Sequence, residues 1–105
     1  MDKSFEVLLS QEFCDEITGI YNYISEKLLS SDTAKKQVER ILEKVESLNI
    51  FPKRFSVAER IQRKDKVFRK MLVDNFIVFY YIDENKNKVF VVHVFYAGRD
   101  IDELF

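Results

Sequence analysis

The chain is poor in the residues from which small proteins build staples and metal sites. Its 105 residues include one cysteine, one histidine, one proline and two glycines. The lone Cys14 excludes an internal disulfide and any multi-cysteine metal site. With one histidine beside it, too few ligands remain for zinc. No glycine-rich loop is present to cradle a phosphate. The apolar runs fall short of the roughly 18–20 residues that a membrane span requires, and none opens the chain as a secretory signal would. A reduced, cytoplasmic setting without cofactor or metal is the expectation. The hydrophobic share of 47%, with ten Phe and five Tyr, is that of one compact domain over residues 1–105 and not of a disordered segment.

The net charge of −1 conceals an uneven distribution. Between Lys53 and Lys70 stand eight basic residues and two acidic ones (Glu59, Asp65), a local charge of +6. The remainder of the chain has 9 basic and 16 acidic residues, or −7. Such a stretch can hold a polyanion without making the whole protein a general nucleic-acid binder. It reads equally well as a solvated, lysine-rich loop and strand edge.

Phe5 to Ser10 has the composition of a short strand, and Ser10 is placed to cap a helix. From Gln11 to Leu29, apolar residues recur at Phe13, Ile17, Ile20, Tyr21, Ile24 and Leu28, spacings that give a helix one apolar face. Ser30-Ser31-Asp32 breaks that pattern and supplies a second cap. A second amphipathic helix is expected from about Thr33 to Leu48, with Val38, Ile41, Leu42, Val45 and Leu48 as its stripe. Helices joined by about three polar residues must lie antiparallel, as a hairpin. Pro52 ends the second helix. Residues 53 to 66 do not settle between strand and helix. Val67 to Ile82 is dense in β-branched and aromatic residues, interrupted by Asp74-Asn75, and Val89 to Tyr96 follows a polar turn. Consecutive strands with short turns are antiparallel neighbours. The expected fold is therefore α+β, an N-terminal helical hairpin packed on a small antiparallel sheet of three or four strands.

Little in this sequence is obviously catalytic. Cys14, inside a helical pattern, reads as a small core residue, and Asp100, Asp102 and Glu103 read as a solvated acidic tail. Basic and aromatic side chains near the strands remain: Arg69 opening the first long strand, His93 and Tyr96 on the last, and Arg99 after Gly98. Together they could bind a phosphodiester and stabilise its developing charge without a metal, provided that the strands of Arg69 and Arg99 are adjacent. Alternatively His93, between Val92 and Val94, is a buried and hydrogen-bonded histidine, and Arg99 pairs with Asp100 or Asp102. His93 and Tyr96, three apart, point to opposite faces of a regular strand. Of Tyr80 and Tyr81, one faces the core and the other solvent.

The order and spacing of several segments resemble the RelE/ParE toxin superfamily over almost the whole chain. They are Phe5-x-Val7-x-Leu9-Ser10, Ile20-Tyr21-x-Tyr23-Ile24, Leu48-x-x-Phe51-Pro52, Arg69-x-x-Leu72-Val73-x-Asn75-Phe76-x-Val78-x-Tyr80 and Val92-x-Val94-x-Tyr96-x-x-Arg99-Asp100. The resemblance implies the toxin of a type II toxin–antitoxin pair, a growth inhibitor silenced by a cognate antitoxin. RelE-like members cut mRNA on the ribosome with basic residues and a tyrosine or histidine near the end of the sheet. By that pattern Arg69, Arg99, Tyr96 and His93 are the catalytic candidates, with Arg60, Arg63, Lys64, Lys66 and Lys70 as RNA contacts. ParE-like members instead poison DNA gyrase and have no nuclease site. The two long helices and the Leu48-to-Pro52 element look ParE-like, as does the absence of strong overall basicity. The local +6 charge and the His93, Tyr96 and Arg99 group suit a ribosome-dependent ribonuclease, which is the expectation taken forward. A gyrase inhibitor and a member that only binds its antitoxin are the alternatives.

Overall fold

The computed structural model describes residues 4–61, 63 and 65–99. Strand β1 (Glu6–Leu9) leads into helix α1 (Gln11–Leu28), and helix α2 (Ser31–Glu46) follows after a tight reversal. Two short 3-10 turns, Ser47–Asn49 and Pro52–Arg54, precede strands β2 (Arg69–Val73), β3 (Phe76–Asp83) and β4 (Lys88–Tyr96). Among the described residues, no helix is long and apolar enough to cross a membrane.

Local chemistry explains the element ends. Ser10 Oγ accepts from Phe13 N at 2.9 Å and Ser30 Oγ from Thr33 N at 3.2 Å, each satisfying one of the amide groups a helix start leaves unpaired. Leu29 closes α1 in the left-handed conformation (φ 51°). Its 90% exposure leaves this apolar side chain in water at the hairpin tip.

β2, β3 and β4 pair antiparallel through the short turns, as expected from the sequence. β1 departs from that scheme. It lies against β4 in parallel, giving a mixed sheet of order β1-β4-β3-β2. Parallel neighbours need a long connection, and here the hairpin, the loop after it, β2 and β3 all lie between the two strands. No turn signal could have announced this pairing.

The helices cover one sheet face. Phe13, Ile41, Val45 and Leu48 pack there on Met71, Val78, Tyr80, Val89, Val91 and Val94. Each of the larger fully buried side chains contributes about 1.5–3 kcal/mol of apolar transfer. Residues left open from the sequence cover the other face. Ala58 and Ile61 pack on Phe68, Phe79 and Phe95, while Val57 bridges to Arg69. Two residues assigned to the core are not in it. Cys14 is exposed, one helical step (about 100°) round from the buried Phe13. Leu28 is also exposed, on the rim of the groove between the hairpin and the sheet.

A bulge in β4 decides which side chains face the helices. Phe79 pairs with His93 but Tyr80 pairs with Val91, so Val92 has no partner in the register. The extra residue shifts the alternation, and Val89, Val91 and Val94 all reach the helix-side core.

Candidate functional site

The last strand brings Tyr96 and Arg99 to one place. With Glu16, Gly19, Tyr23 and Phe76, among others, they line a groove of about 800 Å³ between the hairpin and the far end of the sheet. Tyr96 stands edge-on to Phe76, with ring centroids 6.0 Å apart. Its ring folds back over Gly98, where an added Cβ would lie 2.7 Å from Tyr96 Cε2. A side chain at position 98 would thus force the tyrosine ring or the backbone beneath it to shift. At the rim, Asp74 accepts from Arg40 Nε at 2.8 Å and from Gln37 Nε2 at 2.9 Å. The Arg40 hydrogen bond is the main reason the Asp74 carboxyl lies below the usual carboxylate range, with Gln37 adding to it.

His93 belongs to a different arrangement. β4 runs past the end of β1 at Leu9, so the edge of residues 92–96 has no strand partner among the described residues. Glu16 of α1 fills part of that gap. One carboxylate oxygen accepts from Val94 N at 2.9 Å and the other lies 2.8 Å from His93 Nδ1. Nδ1 therefore carries the hydrogen in this contact. The histidine ring stacks on Phe95 at 4.9 Å, away from Tyr96, as the alternation predicts. This is the partly buried, hydrogen-bonded histidine that the sequence allowed.

Arg69 sits at the other end of the sheet. Register pairs it with Tyr80 and thence Val91, whereas Tyr96 pairs with Phe76, beside Val73. That places Arg69 roughly 13 Å from Tyr96 along the strands and two strands across. Its guanidinium donates to Lys53 O at 3.2 Å and Phe55 O at 2.7 Å. Nearby, Tyr80 donates its hydroxyl to Pro52 O. Burial pushes the Tyr80 phenol up to about 12, against a smaller opposite pull from Arg69 and Arg54. Arg69 and Tyr80 thus hold down the loop after Pro52.

The strands of Arg69 and Arg99 are not adjacent, so the expected catalytic group does not assemble: Tyr96 and Arg99 share a groove, His93 faces elsewhere and Arg69 is distant. The other cations of the basic stretch, the expected RNA contacts among them, are spread as well. Lys53 pairs with Glu84 at 2.6 Å, and Arg54 is engaged with the carbonyls of Ser47, Ile50 and Phe51. Lys66 lies over the Tyr81 ring, 4.8 Å from its centroid, and Lys70 is exposed on β2. Arg60 and Arg63 are exposed in the loop that covers the second face. Lys64, the acidic group Asp100, Asp102 and Glu103, and thus the expected Arg99 pairings, lie outside the described residues. No group of three or more potential metal ligands occurs among those described.

The family described as the ParE toxin of type II toxin–antitoxin systems, parDE, matches residues 7–101. The chain belongs to the ParE toxin family. Its fold is shared with solved structures of low sequence identity. One is titled a chromosomal ParDE toxin–antitoxin system from P. aeruginosa (TM-score 0.72, 12% identity, 90% of this chain and 97% of that one). Another is from an archaeal RelE–RelB complex of Pyrococcus horikoshii OT3 (TM-score 0.62, 15% identity, 91% and 98%). A third is from the RelBE2 toxin–antitoxin complex of Mycobacterium tuberculosis (TM-score 0.61, 14% identity, 91% and 97%). No curated protein matches. This ParE-family toxin also contains site residues that sequence reading missed, Glu16 and Gly19. A glycine in the middle of a strong helical pattern was the available signal for the second. Nothing local distinguished Glu16 from the other helix carboxylates.

Proposed function

We propose that this toxin acts in the cytoplasm by binding a protein target, DNA gyrase on the ParE resemblance, and that a cognate antitoxin silences it. The observation that carries the reading is the separation of Arg69 from Tyr96 and Arg99. Phosphodiester cleavage without a metal needs the phosphate-holding cations and the proton-transferring group within hydrogen-bond reach of one substrate. Here Arg69 is instead bound to backbone carbonyls at the opposite end of the sheet. The second reading, a ribosome-dependent ribonuclease, is favoured by the +6 stretch and by the exposure of Lys66 and Lys70.

The test is expression without antitoxin, scoring growth, ribosomal mRNA cleavage and the DNA-damage response. The binding reading expects growth arrest with DNA damage, no mRNA cleavage, and the same arrest in an Arg69→Ala plus Arg99→Ala variant shown by thermal melting to be folded. Cleavage abolished by that variant would establish the ribonuclease. Absence of toxicity would leave a member that only binds its antitoxin.

A further inference from the structure

The residue before the only proline is a strained point of this chain. Residues in that position favour extended backbone, yet Phe51 is left-handed, with φ 48° and ψ 54°. Asp74 and Asn87, also at positive φ, are of the types that tolerate it, whereas a bulky aromatic is an outlier there. Asparagine or glycine would turn the chain at lower cost. The Phe51 ring gains little burial in exchange, since it is 64% exposed, beside Ile50 at 41%.

The surrounding loop is built to hold that conformation. The carbonyls of Ile50 and Phe51 accept from the Arg54 guanidinium, which also donates to Ser47 O and Oγ and lies 4.7 Å from the centroid of the Phe55 ring. The Pro52 carbonyl accepts from the Tyr80 hydroxyl, and those of Lys53 and Phe55 accept from Arg69. Three side chains thus fix a short loop whose apex is an aromatic ring in water. A lone exposed apolar side chain is ordinary on any surface. One held outward by a clamped loop is preorganised, so little conformational freedom remains to be lost on binding. Phe51 lines neither the groove beside Tyr96 nor the cleft beside Lys53 and Phe90. Ile50 bridges Ser4, just ahead of the point where β1 starts opposite Lys88. The groove lies at the Tyr96 end of the same strand, roughly 26 Å away along it.

We propose that Phe51 is the anchor by which this toxin grips its protein target, its ring entering an apolar pocket of that partner. The inference rests on the binding reading above and deepens it by naming the surface that makes the contact. A toxin whose catalytic group does not assemble acts on its target by contact alone, and aromatic anchors supply much of the energy of such contacts. A protruding ring calls for a concave partner. A second copy docking through the same patch would set ring against ring, whereas a two-fold contact requires a self-complementary surface. The backbone strain at Phe51 is then offset only in the complex with the target.

The test uses the full chain with purified DNA gyrase and, separately, with the antitoxin encoded beside it. Phe51→Asn keeps a residue that tolerates the left-handed turn. It is expected to raise the melting temperature of the free toxin yet weaken gyrase binding by roughly a hundredfold, opposite effects that a purely structural role cannot produce. Growth arrest should disappear with it, while antitoxin affinity stays as in the wild type. Phe51→Trp, which retains a large ring, should bind gyrase within about threefold of the wild type. Leu29→Asn is the matched control: Leu29 is also left-handed and exposed, at the hairpin tip, and its loss should leave gyrase binding unchanged. Gyrase binding by Phe51→Asn as tight as by the wild type would overturn the proposal, as would an equal loss in Leu29→Asn. A lower melting temperature of Phe51→Asn, or its failure to fold, would do the same by showing that the ring packs on its own chain. Loss of antitoxin affinity in that variant would assign the surface to the antitoxin instead, and loss of a wild-type dimer in sedimentation would assign it to a second copy; either overturns the proposal. Failure of the wild type itself to bind gyrase would remove the reading beneath it.

Discussion

Raising the pH should weaken this fold through one side chain, Tyr80. Its ring is fully buried on the helix side of the sheet and its hydroxyl donates to Pro52 O. Ionisation would place a phenolate in that apolar setting and remove the donated hydrogen. The folded protein consequently keeps the proton until about pH 12, whereas in the unfolded chain it leaves near the ordinary value of 10.0. Between these values the unfolded state has released a proton that the folded state retains, so stability falls as pH rises. Two pH units correspond to about 3 kcal/mol, a large fraction of the 5–15 kcal/mol typical of a whole domain. That contribution is fully present below pH 10 and gone once the pH passes about 12. Urea-denaturation midpoints measured from neutral to strongly alkaline pH should show the decline in the wild type. Tyr80→Phe should show much less of it, because phenylalanine has nothing to ionise. The same variant starts about 1–2 kcal/mol lower at neutral pH, since Pro52 O loses its donor. Tyr23→Phe, at a site 65% exposed, is the control and should reproduce the wild-type slope. Parallel alkaline slopes for wild type and Tyr80→Phe would refute the reasoning.

Two further outcomes follow from the hydrogen-bonded carboxylates. Glu16→Ala should cost about 1–3 kcal/mol in urea denaturation and speed hydrogen exchange at the Val94 amide, whose acceptor it removes; unchanged exchange at that amide would contradict the edge-capping role. Asp74, held below its ordinary 3.8 chiefly by Arg40, stabilises the folded state above that value, and the contribution disappears as pH falls through the lower folded pKa. An acid titration of the urea midpoint should therefore be flatter for Asp74→Asn than for the wild type.

The elements themselves were written in the sequence. Apolar spacing marked both helices to within a few residues, Ser10 and Ser30 acted as the caps their chemistry suggests, and Asp74-Asn75 made the β2–β3 turn. These are local properties, set by period and by hydrogen bonds between near neighbours. The loop after Pro52 was not legible, because Ala58 and Ile61 acquire meaning only against Phe79 and Phe95 on a sheet that forms later in the chain.

The sequence by itself determined two amphipathic helices, three antiparallel strands and a basic stretch, and its segment order supported the toxin family. Tertiary structure alone decided the parallel seat of β1, the bulge at Val92 and the distance between Arg69 and Arg99. Those features depend on register between strands far apart in sequence, where a shift of one residue exchanges the two faces of a strand. Composition along the chain gives no hint of such a shift. For that reason a list of plausible catalytic residues could be read from the sequence, while their separation could be read only from the fold.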